Sequence, residues 1–348
     1  MIKIFHSSKK KILFITFLII VNFFLIINSV NAVEANSSFN NPIKFSLGHC
    51  TPDDSLAGEN AKMFKNFVEE MSEGSILIDI YPMSQLGTEP TMMDSVYSGT
   101  LDMALISTTV LTTIIDELNA LLLPFLFNDL EAIGNVINSD DFYNETAKIV
   151  ETSTGMHFIG VPVLSARGLL NKKRPVTNLE DMKDLTIRII PGNIIYDIFE
   201  AMNVSTTQLS FGEVYTALQQ GVIDGVENGI PDCIEMKFVE VGKYYSDTLQ
   251  CINTMPILMS DLAWNKLSAE QQEIIRDAAK KVEMQVVDIT NETIEASYKI
   301  ANEEYNVEIT KLNSEMRANF KKACQPVYDK YIPIIGEDYY NLVNSLAN

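Results

Sequence analysis

The sequence predicts an α/β protein of two domains, and three observations carry that reading. Short apolar runs of strand length alternate with amphipathic stretches of helix length, the pattern of a mostly parallel sheet with crossover helices. Setting aside a 32-residue N-terminal leader from the 348-residue chain leaves 316 residues, enough for two domains of ordinary size. No low-complexity linker or internal repeat separates them, so the domains are expected to interleave.

The elements follow in chain order. Lys3, Lys9, Lys10 and Lys11 precede an apolar run from Ile12 to Ile27, and Val30-Asn31-Ala32 places small residues behind it. That order predicts an export signal over residues 1–32, removed near Val33; an uncleaved membrane anchor is the alternative. No cysteine stands directly behind the run, so no lipid-modified N-terminus is expected. Pro42 to Leu47 reads as the first strand, Ser55 to Met71 as an amphipathic helix, and Ile76 to Tyr81 as the next strand. Helix Met92 to Tyr97, strand Met103 to Ile106 and an acid-capped helix near Asp129 continue the alternation. A second α/β set runs from Arg167 to about Cys251. From Ser268 the chain reads as helical for a long distance, with few breakers before Asn313, and Pro333 and Gly336 punctuate the tail.

The stretch Ser210 to Gly229, SFGEVYTALQQGVIDGVENG, is the most informative. Ser210 and Glu213 form an S-x-x-E capping box, so a helix is expected from Phe211. Phe211, Val214, Tyr215 and Leu218 then make one apolar stripe, and Gly221 stands where a C-terminal cap takes positive φ. Val222 to Val226 reads as a short buried strand with Glu227-Asn228-Gly229 as the turn beyond it. Ligands of open α/β sheets collect outside such carboxyl ends.

Composition narrows the function classes. With 26 basic and 46 acidic residues the net charge is −20, and removing the four leader lysines takes it to −24 (22 against 46). That field repels nucleic acid and anionic lipid, and makes binding of any anion depend on a few local cations. Cys50, Cys233, Cys251 and Cys324 lack a C-x-x-C pattern, which argues against zinc. An exported compartment permits a Cys233–Cys251 disulfide, and four reduced core cysteines fit the sequence equally. Beyond the leader only His49 and His157 remain, with no nucleophile elbow, zinc-protease motif or phosphate loop, so no enzyme activity, cofactor or metal is expected.

Arginine is scarce: five against 21 lysines. Arg188, in Leu185-Thr186-Ile187-Arg188-Ile189-Ile190, would present a planar fork for a carboxylate at a strand end; pairing with an internal acid is the rival role. Trp264, the only tryptophan, reads as a packing residue.

The ordered blocks resemble the solute-binding proteins of TRAP (tripartite ATP-independent periplasmic) transporters, the dicarboxylate-binding DctP family. In that family a phenylalanine, an E-V-Y-x-A-L-Q helix and a D-G-x-E-N turn follow one another, as Phe211 to Asn228 do here. Tyr81-Pro82, Gln85-Leu86-Gly87, Gly99 to Asp102, Leu123 to Phe127, Asp184 to Arg188 and Phe238 to Tyr244 extend the likeness over nearly all of the chain beyond the leader. The resemblance implies a two-lobed periplasmic-binding-protein-like fold, interleaved, with a long C-terminal helix spanning both lobes. Its lobes would be residues 36–164 plus 254–293 and 165–253 plus 294–348.

It also implies a function: a periplasmic, monomeric protein that captures a small organic acid, a C4-dicarboxylate or similar, and delivers it to small and large membrane permease subunits. A membrane-sensor partner and a sialic acid or uronate binder are the alternatives. Arg188 matches the family's carboxylate anchor, with Thr186 in place of a lysine. Arg167, in Ser165-Ala166-Arg167-Gly168, matches a second arginine, with a structural salt bridge as its rival role. Asn228 matches the asparagine of an E-N-P turn whose proline is here Gly229, a change expected to loosen the turn. Phe211 is expected to wall the pocket. His49, Glu89 and Ser107 are the first-lobe candidates: His49 just past the first strand, Glu89 near a helix start, and Ser107 where sialic-acid binders resemble one another in having glutamate.

Overall fold

The computed structural model describes residues 41–348, and the expected leader lies outside the described residues. The strands are β1 (Ile43–Gly48), β2 (Ile76–Tyr81), β3 (Met103–Leu105), β4 (His157–Gly160), β5 (Val163–Ala166), β6 (Gly168–Asn171) and β7 (Thr186–Ile189). They continue with β8 (Ser205–Gln208), β9 (Gly225–Asn228), β10 (Tyr244–Asp247), β11 (Ile252–Thr254), β12 (Ile257–Met259) and β13 (Glu308–Lys311). A five-stranded sheet in the order β2-β1-β3-β12-β4 and a six-stranded sheet in the order β13-β10-β6-β9-β7-β8 form the cores of two lobes. The chain passes from the first sheet to the second along β5 and returns along β11. These two crossing strands pair antiparallel, Ile252 opposite Ala166 and Asn253 opposite Ser165.

Both sheets are mixed rather than mostly parallel. β12 runs antiparallel to β3 and β4, and β6 antiparallel to β9 and β10. The reason is the interleaving: β12 enters the first sheet on the return crossing, so it arrives from the opposite end to β1 and β3, which are parallel.

Helix signals worked closely. Ser55 caps the Leu56–Met71 helix by accepting from Gly58, and Asp129 caps Leu130–Ile137 by accepting from Ala132. The helix Ala269–Glu303 spans 35 residues behind a Ser268/Gln271 capping box. It packs on the Leu56–Met71 helix, on β4 and β5, and on β13 and the Ile230–Glu235 helix, so it touches elements of both lobes. The helix ends at Glu303 rather than continuing towards Asn313, and β13 follows it. The four residues of β13 alternate only weakly in burial at the edge of the second sheet, beside β10, so little periodicity marks them. After it come helices Ser314–Ala323, Gln325–Ile335 and Glu337–Ala347. The last returns to the first lobe, where Tyr339 meets Thr146 at 2.7 Å.

The segment after Gln208 also differs in register. The Ser210/Glu213 capping box is present, but its first turn, Phe211–Glu213, is 3₁₀, and the α-helix runs Val214–Gln220 to Gly221 at φ 77°. The strand is Gly225–Asn228, not Val222–Val226. Val222 is 57 % exposed, whereas Asp224 holds the start of the strand by accepting the Thr186 N–H at 2.9 Å. Glu227 and Asn228 therefore lie within the sheet, opposite Leu169 and Gly168. Cys50, Cys233, Cys251 and Cys324 are all thiols. Among the described residues no helix is long and apolar enough to cross a membrane.

Candidate functional site

Strands β1, β3, β7 and β9 all end at one partly open cavity between the lobes. Its walls include Cys50, Thr51, Glu89 and Ser107 from the first lobe and Arg188, Phe211, Asn228 and Asp232 from the second. Arg167 and the crossing-strand residues Leu164 and Asn253 complete the floor with Met255. Arg188, Arg167, Asn228, Phe211, Glu89 and Ser107, all anticipated from the sequence, are thus brought together. His49 is not among the lining residues. Its ring is fully buried behind them, Nδ1 lies 3.0 Å from the Thr51 hydroxyl, and burial pushes the imidazole down to about 4, so it is neutral.

Arg188 is placed by strand alternation. Ile187 and Ile189 are fully buried on one face of β7, so Arg188 lies on the other. It is 2 % exposed, and both Nε and one Nη donate to the Leu209 carbonyl, at 3.0 and 2.7 Å. Its second terminal nitrogen makes no hydrogen bond among the described residues, and no carboxylate there stands within ion-pair distance. Phe211 covers the guanidinium, with its ring centroid 5.8 Å from Cζ, and is held edge-on by Phe238. Burial and the neighbouring Arg167 charge lower Arg188 to about 10, which leaves it charged at neutral pH.

Arg167 is different. Its guanidinium is buried against Glu227: Nε meets Oε1 and Nη2 meets Oε2 at 2.7 Å, with a further bond to the Glu227 carbonyl. Burial opposes the charge, but Glu227 outweighs it and raises the arginine above its ordinary value. Gln250 donates to the same carboxylate at 3.0 Å. The internal ion pair named as the rival role is therefore present, while the residue still faces the cavity.

Asn228 ends β9 with its carbonyl bound by the Tyr245 hydroxyl at 3.2 Å. Gly229 does not loosen the turn. A Cβ there would lie 2.2 Å from Ser165 Oγ, so glycine is what lets the turn approach β5. Ser107 caps the Thr108–Leu111 turn, and its N–H donates to Glu89 at 3.0 Å. Glu89 begins the Glu89–Tyr97 helix and is raised, chiefly by burial. Asp232 was not anticipated. It follows Pro231 in a short helix, accepts from Ser165 Oγ at 3.2 Å, and burial pushes it up. An acid three residues past Gly229 was the available signal. Nothing in the sequence marks Asn253 or Met255. Trp264 lies elsewhere, stacked on His157 with ring centroids 4.8 Å apart.

A cleft between two interleaved lobes, floored by the crossing strands and lined by a buried arginine without an acidic partner, defines an extracytoplasmic-type solute-binding protein. Comparison with known proteins agrees. The family model for bacterial extracellular solute-binding proteins, family 7, matches residues 47–333, and the chain belongs to that DctP family. It is 27 % identical over 320 residues to the sialic acid-binding periplasmic protein SiaP of Vibrio cholerae, covering 92 % of this chain and 97 % of that one. A TRAP periplasmic solute binding protein from Sulfitobacter with bound β-D-galacturonate superposes with TM-score 0.80 at 26 % identity, over 87 % of this chain and 99 % of that one. One from Sulfurospirillum deleyianum with bound succinate gives 0.79 at 25 %, over the same shares.

Proposed function

We propose that this protein captures a small organic acid in the interlobe cavity and delivers it to the paired small and large subunits of a TRAP-type permease. One observation carries the reading: Arg188 is a buried cation whose free edge has no protein acid to meet. A buried, unpaired charge is costly, and a ligand carboxylate held through two parallel hydrogen bonds would offset that cost. Phe211 would keep water from the pair. Asn228, with an amide that donates and accepts, and the remaining N–H of Arg167 would complete the carboxylate's shell.

The first lobe would close over the ligand, since Cys50, Thr51, Glu89 and Ser107 reach the cavity from that side. Lobe boundaries near residues 164 and 253 suit this motion, because β5 and β11 run side by side there. A basic, apolar and small-residue leader supports export to the periplasm, testable by sequencing the N-terminus of protein secreted by its own host. The relatives' ligands, among them galacturonate and succinate, support an acid.

A melting-temperature screen against C4-dicarboxylates, 2-oxo acids, uronates and aldonates tests the proposal, since a bound ligand raises stability by mass action. At least one acid should shift the transition in the wild type and fail to do so in Arg188→Lys. A shift by neutral sugars alone would overturn the carboxylate reading.

A further inference from the structure

The charges around the cavity do not balance. Arg167 is neutralised by Glu227, which lies fully buried behind it and is not a lining residue. One cation without an ion pair, Arg188, therefore remains on the wall, in the field of Glu227 and Glu89. Against it stand two carboxyls, Glu89 and Asp232, and neither forms an ion pair among the described residues. Glu89 accepts from the Ser107 N–H through Oε1 and from the Cys50 thiol, and Asp232 from the Ser165 hydroxyl and the Asn253 amide, all neutral donors. Glu89 comes from the first lobe and Asp232 from the second, so a closed cavity presents acids from both sides.

We propose, resting on Arg188 as the carboxylate anchor, that this site selects against dicarboxylates and takes a monocarboxylate whose far end carries hydrogen-bond donors, read by Glu89 and Asp232. A ligand's first carboxylate uses up Arg188. A second would lie in the same cavity with two acids and no remaining unpaired cation. Burial already disfavours charge on both carboxyls, and another anion adds to that load. A hydroxyl or ammonium group does the reverse, since it donates to acceptor sites of the carboxyls that the protein leaves unfilled. A bare aliphatic chain adds no donor to either acid's remaining lone pairs while keeping water from them, and is disfavoured for that reason. The acids thus work as a charge filter on the far end of the ligand.

Four four-carbon acids separate these terms. Succinate has a second carboxylate, erythronate has hydroxyls, 4-aminobutyrate an ammonium and butyrate nothing. Adipate and gluconate repeat the dicarboxylate and hydroxyl arms at six carbons. Calorimetry on the mature chain at neutral pH should show the hydroxylated or ammonium-bearing monocarboxylate binding at least 100-fold more tightly than the dicarboxylate of equal length. Whichever of the two binds tighter identifies the donor. Glu89→Gln and Asp232→Asn, nearly isosteric and neutral, should each narrow that ratio at least tenfold, mainly by improving dicarboxylate binding. The inference is overturned if succinate or adipate binds best and neither variant moves the ratio. If no acid binds, and Arg188→Lys changes nothing with neutral ligands, the anchor itself fails and this inference falls with it.

Discussion

Replacing Glu283 by glutamine should stabilise the protein at pH 8 and leave it nearly unchanged at pH 5. Glu283 sits near the middle of the Ala269–Glu303 helix, 5 % exposed. Its Oε1 accepts the N–H of Val161 at 2.6 Å, where the chain leaves β4 for β5. The approach leaves no room for a side chain at Gly160, whose Cβ would stand 2.9 Å from that oxygen and 2.8 Å from Ala279. Burial pushes the carboxyl up from 4.5 to about 8, against smaller pulls from the Val161 N–H and Lys280. Between those values the folded chain keeps a proton that the unfolded chain has released. Folding therefore takes up a proton, and stability falls as pH rises through the window. At about 1.4 kcal/mol per pH unit, the interval is worth up to about 5 kcal/mol. Glutamine keeps an oxygen for Val161 and never ionises, but it brings an N–H₂ that needs partners, so the expected gain at pH 8 is about 1–4 kcal/mol. Calorimetric melting of both proteins at pH 5, 6, 7 and 8 gives the difference, and groups common to both cancel. An advantage of several degrees at pH 8, shrinking steadily towards pH 5, is expected. An offset that does not change with pH refutes the reasoning.

Three further outcomes are expected. Arg188→Lys keeps the charge but loses the planar fork, so the affinity for the preferred acid should fall by about 2–5 kcal/mol in calorimetry; unchanged affinity in a folded variant removes Arg188 from the site. Gly229→Ala should destabilise the fold by about 1–3 kcal/mol through collision with Ser165, and Ser165→Gly in the same chain should recover part of it in urea melts; no recovery means the strain lies elsewhere. Glu235, at the end of the Ile230–Glu235 helix, accepts the Leu56 N–H of the other lobe at 3.3 Å. Burial, then Asp232 and Asp54, push its carboxyl up to about 8. Opening the lobes would return it towards 4.5, so closure on a ligand should take up a proton between those values, a fraction of one at pH 7. Calorimetry in buffers of different ionisation heat counts that proton; the same count in Glu235→Gln would exclude Glu235 as its source.

Much of the site was legible because its residues sit at punctuation marks. Arg188 is a charge within an apolar strand, Asn228 ends a motif, and Phe211 opens a capped turn; each is unusual for its position. Where strong caps stand, the boundary is legible: Leu56–Met71 behind Ser55 at both ends, and the start of Ala269–Glu303 behind Ser268, whose far end carries no comparable stop signal before Asn313. Strand direction was not legible. Periodicity records which face is buried, not the end from which a strand enters, so nothing in the sequence marks β12 as antiparallel to β3 and β4. The placement of β9 was misread because Val222, an apolar residue on the surface, imitates the start of a strand. Asn253 and Met255 reach the cavity only through the return crossing, a contact between segments far apart in sequence with no local trace. Gly229 looked like slack and proved to be clearance, since its meaning depends on Ser165, some sixty residues earlier in the chain.

The crossing strands also have a consequence for what the protein can refuse. Leu164 and Asn253 lie on the crossing strands, Met255 directly beyond them, and all three line the cavity, so under the proposed closure a guest would touch the joint while being held. Recognition at Arg188 and completion of the stroke would then be separate tests. A molecule with the right head and too bulky a body would grip the arginine and jam the joint like a wedge, occupying the protein without ever becoming cargo. Such a jam is a design for an inhibitor: it would starve the cell of its nutrient by tying up the courier while leaving the gate untouched.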